Sequence, residues 1–171
     1  LAKWNGILDS VGFDPEKDLF AWWSGESISV TLPAAVVSPM GGGGDFVWMV
    51  RVKDAEIAQQ KINKLIDFAS GMLQAQGQPI MVTPAAVSVD GFKQVTHPMV
   101  AMFLRPVIGV TGDWLVVGSN PAAVNKCLDV AAGKAPSVVE NARFKEEGLT
   151  AKGAVRSASF TDTANRGQEL G

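Results

Sequence analysis

The sequence predicts an α+β fold, with a largely antiparallel sheet of about six to seven strands and amphipathic helices packed on one face. Three observations predict it. Two tight turns, Asp90-Gly91 and Gly112-Asp113, each stand between short β-rich runs and mark hairpins. One long segment, Ala55 to Gln76, keeps a helical hydrophobic period. The succession of strand, short link, capping residue and helix also recurs, with caps at Asp54, Asn120 and Asp162. Its intervals are unequal, which argues against a solenoid repeat.

Taken in order, the chain opens on a helical pattern, Leu1, Trp4, Leu8 and Val11. Asp14-Pro15-Glu16 follows as a helix start, with a cap, a proline at the first helical position and acids that suit the helix dipole. Ile28–Leu32 alternates as a strand, and Phe46–Val52 reads as a mostly buried neighbour rich in β-branched and aromatic residues. The joining loop, Pro33 to Asp45, carries two prolines and four glycines.

In the long helix, Ala58, Ile62, Leu65, Ile66, Ala69, Met72 and Leu73 form one apolar face, and Lys64 lies on the polar face. Asp54 caps its start and Gly77 ends it. Ala86–Val89 and Phe92–Val95 are predicted as the first tight hairpin, Val107–Thr111 and Trp114–Val117 as the second. In the second, glycine in the first turn position suits a type II′ turn. A helix then starts at Asn120-Pro121, with Val124, Cys127, Leu128 and Ala131 on its apolar stripe, and stops at Gly133. A short helix over Asn141–Gly148 and a strand over Ala154–Phe160 complete the pattern.

Several of these segments resemble a known family. Asp45-Phe-Val-Trp-Met-Val-Arg-Val-Lys-Asp54 with its helix is similar to one signature of an uncharacterised bacterial family, catalogued as domain of unknown function 3352. Val110-Thr-Gly-Asp-Trp-Leu-Val-Val-Gly-Ser-Asn-Pro-Ala-Ala123, with Asn141-Ala-Arg-Phe144 further on, resembles a second signature. Leu19-Phe-Ala-Trp-Trp-Ser-Gly-Glu26 is similar to the family's tryptophan-containing approach to its first hairpin. The likeness covers Phe13–Val52 and Val107–Phe160, and leaves Gln78–Leu104 unmatched. It implies an extracytoplasmic or membrane-anchored α+β protein of no known activity, and it brings no functional residues.

Composition bounds the function. The 171 residues are expected to form a single domain, 1–171, cut from a longer protein, since the chain starts at Leu1 within a helical pattern. Hydrophobic residues at 47% and charged residues at 19% can build a core. A net charge of −2, from 15 basic and 17 acidic residues, provides no basic field for nucleic acid. No apolar run approaches the ~20 residues of a membrane span.

Candidate chemical motifs dissolve on inspection. Gly41–Gly44 precedes a strand, where a phosphate cradle needs a helix after it. Asp14, Glu16 and Asp18 alternate like a calcium loop, but Leu19 and Gly25 stand where that loop needs Gly and Glu. His97 is the only histidine, and with Met99 and Met102 it makes a weak copper pattern. Ser24-Gly25 and Gly118-Ser119 lack the flanks of a nucleophile elbow. Cys127 is the only cysteine, so no internal disulfide can form.

The predicted function is therefore a non-catalytic extracytoplasmic interaction or structural module, with another envelope protein as partner and neither cofactor nor metal. Its candidate contact residues are Trp23, beside Trp22, and the loop residues Met40, Gly42 and Gly43. The alternative is a carrier of a hydrophobic ligand in a sheet–helix cavity, which five Trp and six Met could line. A hydrolase using unidentified carboxylates comes third.

Overall fold

A computed structural model of the protein describes residues 14, 21–32, 44–99, 101, 104–146 and 148. The predicted opening helix, the final strand and the Asp162 cap lie outside them. Contacts divide the chain into two compact units, Leu1–Asn125 and Lys126–Gly171, where one domain is expected from the sequence.

The first unit is built on six antiparallel strands: β1 (Trp23–Leu32), β2 (Asp45–Val52), β3 (Met81–Pro84), β4 (Lys93–Thr96), β5 (Val107–Thr111) and β6 (Trp114–Gly118). Their order across the sheet is β1-β2-β6-β5-β4-β3. The α+β class and the antiparallel sheet are as the sequence predicts. The central pairing of β2 with β6 joins two segments far apart in the chain.

Helix α1 (Ala55–Ala75) starts where predicted, with the Asp54 carboxylate accepting from the Ile57 amide at 2.9 Å. It ends through Gln78 N–H to Leu73 C=O at 2.8 Å and Gly77 N–H to Gln74 C=O at 3.0 Å, the two bonds of a Schellman motif. Ala58, Ile62 and Ile66 are buried, and with Val50, Val52, Leu115 and Trp22 they make one core cluster. Leu65, Ile108, Val110 and Val117 pack against that cluster half-buried.

The other face of the sheet has its own core. Register pairs Val47 with Gly118 and Gly118 with Val107, so these three point the same way, opposite to Val50 and Leu115. Val47, Val107, Val116, Phe92, Ala123 and Val124 are all buried there. Two glycines make room. A Cβ on Gly109 would come within 2.5 Å of the Phe92 ring, and one on Gly118 would collide with Val124 Cγ2. Helices on one face alone are thus not what forms. The start of α2 (Pro121–Ala131) takes the face opposite α1, because β6 is apolar on both sides and each side needs a cover.

A polar cluster fixes that helix start. Asn120 Oδ1 accepts from the Ala123 amide at 2.9 Å as the expected cap, while Asn120 Nδ2 donates to Asp45 Oδ1 at 2.6 Å. Buried Ser119 donates to the same carboxylate and accepts from the Phe46 amide, both at 3.2 Å. The start of β2 is thereby tied to the cap of α2, and no buried side-chain polar atom among the described residues lacks a partner.

Two strand expectations need correction. Ala86–Val89 is not a strand; β3 lies earlier, and the segment is held by Asn125, which accepts from Ser88 N–H at 2.8 Å and donates to Ala86 C=O at 3.2 Å. The β2 strand is not mostly buried either, since Phe46 and Trp48 remain 43% and 42% exposed. The β5–β6 turn matches its prediction. Gly112 takes φ +54 while no non-glycine among the described residues has positive φ, so only the first turn position is left-handed, as type II′ requires.

In the second unit, the last turns of α2 end at Gly133, with Lys134 N–H bonded to Asp129 C=O at 2.8 Å. A 3₁₀ turn (Val138–Glu140) and α3 (Ala142–Glu146) follow, with Asn141 Oδ1 accepting from the Arg143 amide at 2.9 Å. Cys127 and Leu128 are half-buried and Ala131 is exposed, so the apolar stripe of α2 is less covered than its period predicts. Burial still pushes the Cys127 thiol pKa up. A raised pKa leaves less thiolate at neutral pH, and the thiolate is the nucleophile. The native thiol is expected to react with an aromatic disulfide reagent more slowly than in the unfolded chain, as absorbance stopped-flow can follow. Equal rates in the two states would remove the burial effect.

Candidate functional site

The feature that stands out is a cleft on the α1 face of the sheet, near its β1 edge. Its volume is about 210 Å³. Three tryptophans, Trp22, Trp23 and Trp48, form one wall. Val50, Leu115, Val117 and Ile108 make the floor from three neighbouring strands, and Ile62 of α1 closes the far side.

Local structure explains each tryptophan. Trp22 sits in the turn before β1, where its carbonyl accepts from Lys53 N–H at 2.8 Å, and only 5% of the residue is exposed. Trp23 is the first residue of β1, paired with Val52. The next pair is Ser27 with Val50, so β1 advances four residues against two in β2. This bulge contains Gly25 at φ +95, a conformation that other residues rarely adopt. Trp23 Nε1 donates across the bulge to Glu26 C=O at 3.2 Å, which anchors the ring. A regular strand would send adjacent tryptophans to opposite faces. The turn and the bulge instead bring both to one cleft.

Trp48 has a different origin. Its cross-strand neighbour is Ser29, and the cleft face of β1 continues with Ser27 and Thr31. These small side chains cannot cover an indole, so Trp48 stays open to solvent. On the floor, Trp48 pairs with Val117 and Val117 with Ile108, and Val50 pairs with Leu115. These pairings form two aligned apolar rows under the ring.

None of the eight lining side chains is titratable, and the lining offers no carboxylate, hydroxyl or amide. A phosphate, which needs charged or several directed donors, finds only the indole N–H groups of the three tryptophans as polar atoms among the lining side chains. Outside the cleft, Arg51 bonds Glu26 at 2.9 Å and Asp113 at 2.7 Å, and these carboxylates raise the pKa of its guanidinium. All three side chains are about half-exposed, so this is a surface network of small energetic weight.

Of the predicted site residues, Trp23 lines the cleft, while Met40, Gly42 and Gly43 lie outside the described residues. Trp48 is the residue that the sequence does not nominate. Its signal is the polar alternation of β1 opposite an aromatic strand, legible only once the register is known. His97 accepts from the Met99 amide at 3.3 Å; Met102, Glu16 and Asp18 lie outside the described residues. Among the described residues no three His, Cys, Asp or Glu side chains group as metal ligands, and no helix is long and apolar enough to cross a membrane.

The fold and the cleft define an α+β domain with an apolar, aromatic-walled recess on an antiparallel sheet. No family model, curated protein or solved structure matches the chain.

Proposed function

We propose that this protein is a non-catalytic binding module whose recognition element is the tryptophan cleft. The observation that carries it is an all-apolar recess of about 210 Å³ left open beside a half-exposed tryptophan. Its size favours one of the two binding readings. Drug-sized and lipid pockets run to about 300–1,000 Å³, whereas a cavity of about 150 Å³ holds a single benzene ring. A recess of 210 Å³ fits one aromatic or branched aliphatic group. That favours capture of a partner's side chain over carriage of a long-chain ligand, and a lining without carboxylates gives a hydrolase nothing to work with here. The resemblance to domain of unknown function 3352 supports an extracytoplasmic or membrane-anchored setting, and the partner proposed is another envelope protein.

The test uses toluene as a probe of the recess. In a titration followed by NMR, the indole N–H signals of Trp22, Trp23 and Trp48 are expected to shift saturably, with a dissociation constant on the order of 1 mM or tighter. Trp114, on the opposite face of β6, is the internal control and is expected not to move. Shifts that fail to saturate, or that affect Trp114 equally, would reject the cleft as a binding site.

A further inference from the structure

We infer that Arg51 is a positioning residue of the cleft: from the opposite face of the sheet its guanidinium holds the β1 bulge through Glu26, and the bulge in turn sets the Trp23 indole. This rests on the cleft being the recognition element, and it adds how one wall of that element is held in place.

The sheet register puts Arg51 opposite the bulge. Trp23 pairs with Val52 and Ser27 with Val50, so Ser24, Gly25 and Glu26 together face the single residue Arg51. Ladder pairing does not fix the shape of such a segment, which is why bulges can re-aim a side chain. Side chains supply what the ladder does not. Arg51 Nη1 donates to Glu26 Oε2 at 2.9 Å, and the Glu26 amide donates to Ser24 Oγ at 3.4 Å.

Glu26 has two partners, one through each part of the residue. Its carboxylate is held by Arg51, while its backbone carbonyl accepts from Trp23 Nε1 at 3.2 Å. Arg51 alternates with Val50 and Val52, which lie in the core cluster beneath α1, so its own side chain leaves by the other face. A contact on that face therefore reaches the cleft through one residue of backbone.

The guanidinium is itself fixed from a second side. Arg51 Nε donates to Asp113 Oδ2 at 2.7 Å, and the Asp113 carbonyl accepts from Val52 N–H at 2.8 Å. Two nitrogens of one planar group thus bridge the bulge to the β5–β6 turn. A lysine ammonium lacks that fork. Half-exposed pairs of this kind shift an equilibrium by a few-fold at most, too little to hold a fold and enough to bias the position of one ring.

The first readout needs no ligand. In Arg51→Met, solvent exchange of the Trp23 indole N–H, followed by NMR, is expected to quicken by about threefold while that of Trp48 stays unchanged. Glu26→Ala removes the carboxylate but keeps the accepting carbonyl, and is expected to respond in the same way. Arg51→Lys keeps the charge without the fork, and is expected to exchange as Arg51→Met does. The dissociation constant for toluene is expected to rise about threefold in all three variants, with Tm within about 2 °C of the unaltered protein.

Unchanged Trp23 exchange in Arg51→Met and Glu26→Ala, with toluene titrating as before, overturns the inference and leaves the cleft standing. Faster exchange at every indole with a Tm loss beyond about 5 °C also overturns it, because Arg51 then serves stability alone. Native exchange in Arg51→Lys overturns the bridging geometry on which the inference stands. Quickened Trp23 exchange with full toluene affinity overturns it by separating Trp23 from binding. Failure of toluene to titrate in the unaltered protein is a different result: it rejects the cleft reading itself, and this inference with it.

Discussion

Replacing Ile62 with alanine is expected to destabilise the protein by about 2–5 kcal/mol, the range for truncating a large buried aliphatic side chain. Ile62 is 4% exposed and joins α1 to Val50, Leu115 and Trp22 in the core cluster. For a chain of this size, each kcal/mol corresponds to about 2–4 °C in Tm, so calorimetry or denaturant melts resolve the change easily. Lys64→Ala, two positions along on the exposed face, is expected to stay within about 0.5 kcal/mol. Leu65, which the apolar period ranks equal to Ile62, is half-buried, so its truncation falls between the two.

Ile62 also closes one side of the cleft, so the same substitution enlarges the recess. Toluene is then expected to raise Tm more in Ile62→Ala than in the unaltered protein, because a ligand that binds only the folded state stabilises it by mass action. A loss equal to that of Lys64→Ala would reject the assigned face of α1. A full loss without rescue by toluene would detach Ile62 from the cleft.

The second large effect is expected at the opposite face. Gly118→Ala puts a methyl group where Val124 Cγ2 already sits, with Val47 Cγ2 beyond it at 3.5 Å. Both valines are fully buried, and neighbouring Ala123 is 1% exposed, so neither has free space to move into. Overpacking of this kind costs about 1–3 kcal/mol. Val124→Ala removes the clashing methyl, and a double-mutant cycle isolates the coupling. The double variant is expected to be more stable than the sum of the single losses predicts, by about 0.5–3 kcal/mol. Strict additivity would mean that the start of α2 does not rest on Gly118.

Much of the local structure is legible from local chemistry. Asp54, Gly77, Asn120-Pro121, Gly112-Asp113 and Gly133 each act through bonds or dihedrals within a few residues, so sequence spacing suffices to place them. The α+β class follows from the same signals, since hairpin turns and one long amphipathic helix leave few other arrangements.

The cleft is less legible. The sequence nominates Trp23 as an aromatic beside a glycine-rich loop, and Trp23 does line the cleft, but the sequence does not name its neighbours there. Trp22 joins it through the turn before β1 and the bulge at Gly25, and Trp48 joins through its pairing with Ser29. The sequence by itself determined the helix ends, the turns, the alternation of β1 and the absence of strong charge. Only the tertiary structure decided that β2 lies between β1 and β6, that α1 and the start of α2 take opposite faces, and that three tryptophans meet. The reason is the range of the forces involved. Caps and turns are satisfied by neighbours in the chain, whereas strand order and register are set by which apolar surfaces, tens of residues apart, bury each other best.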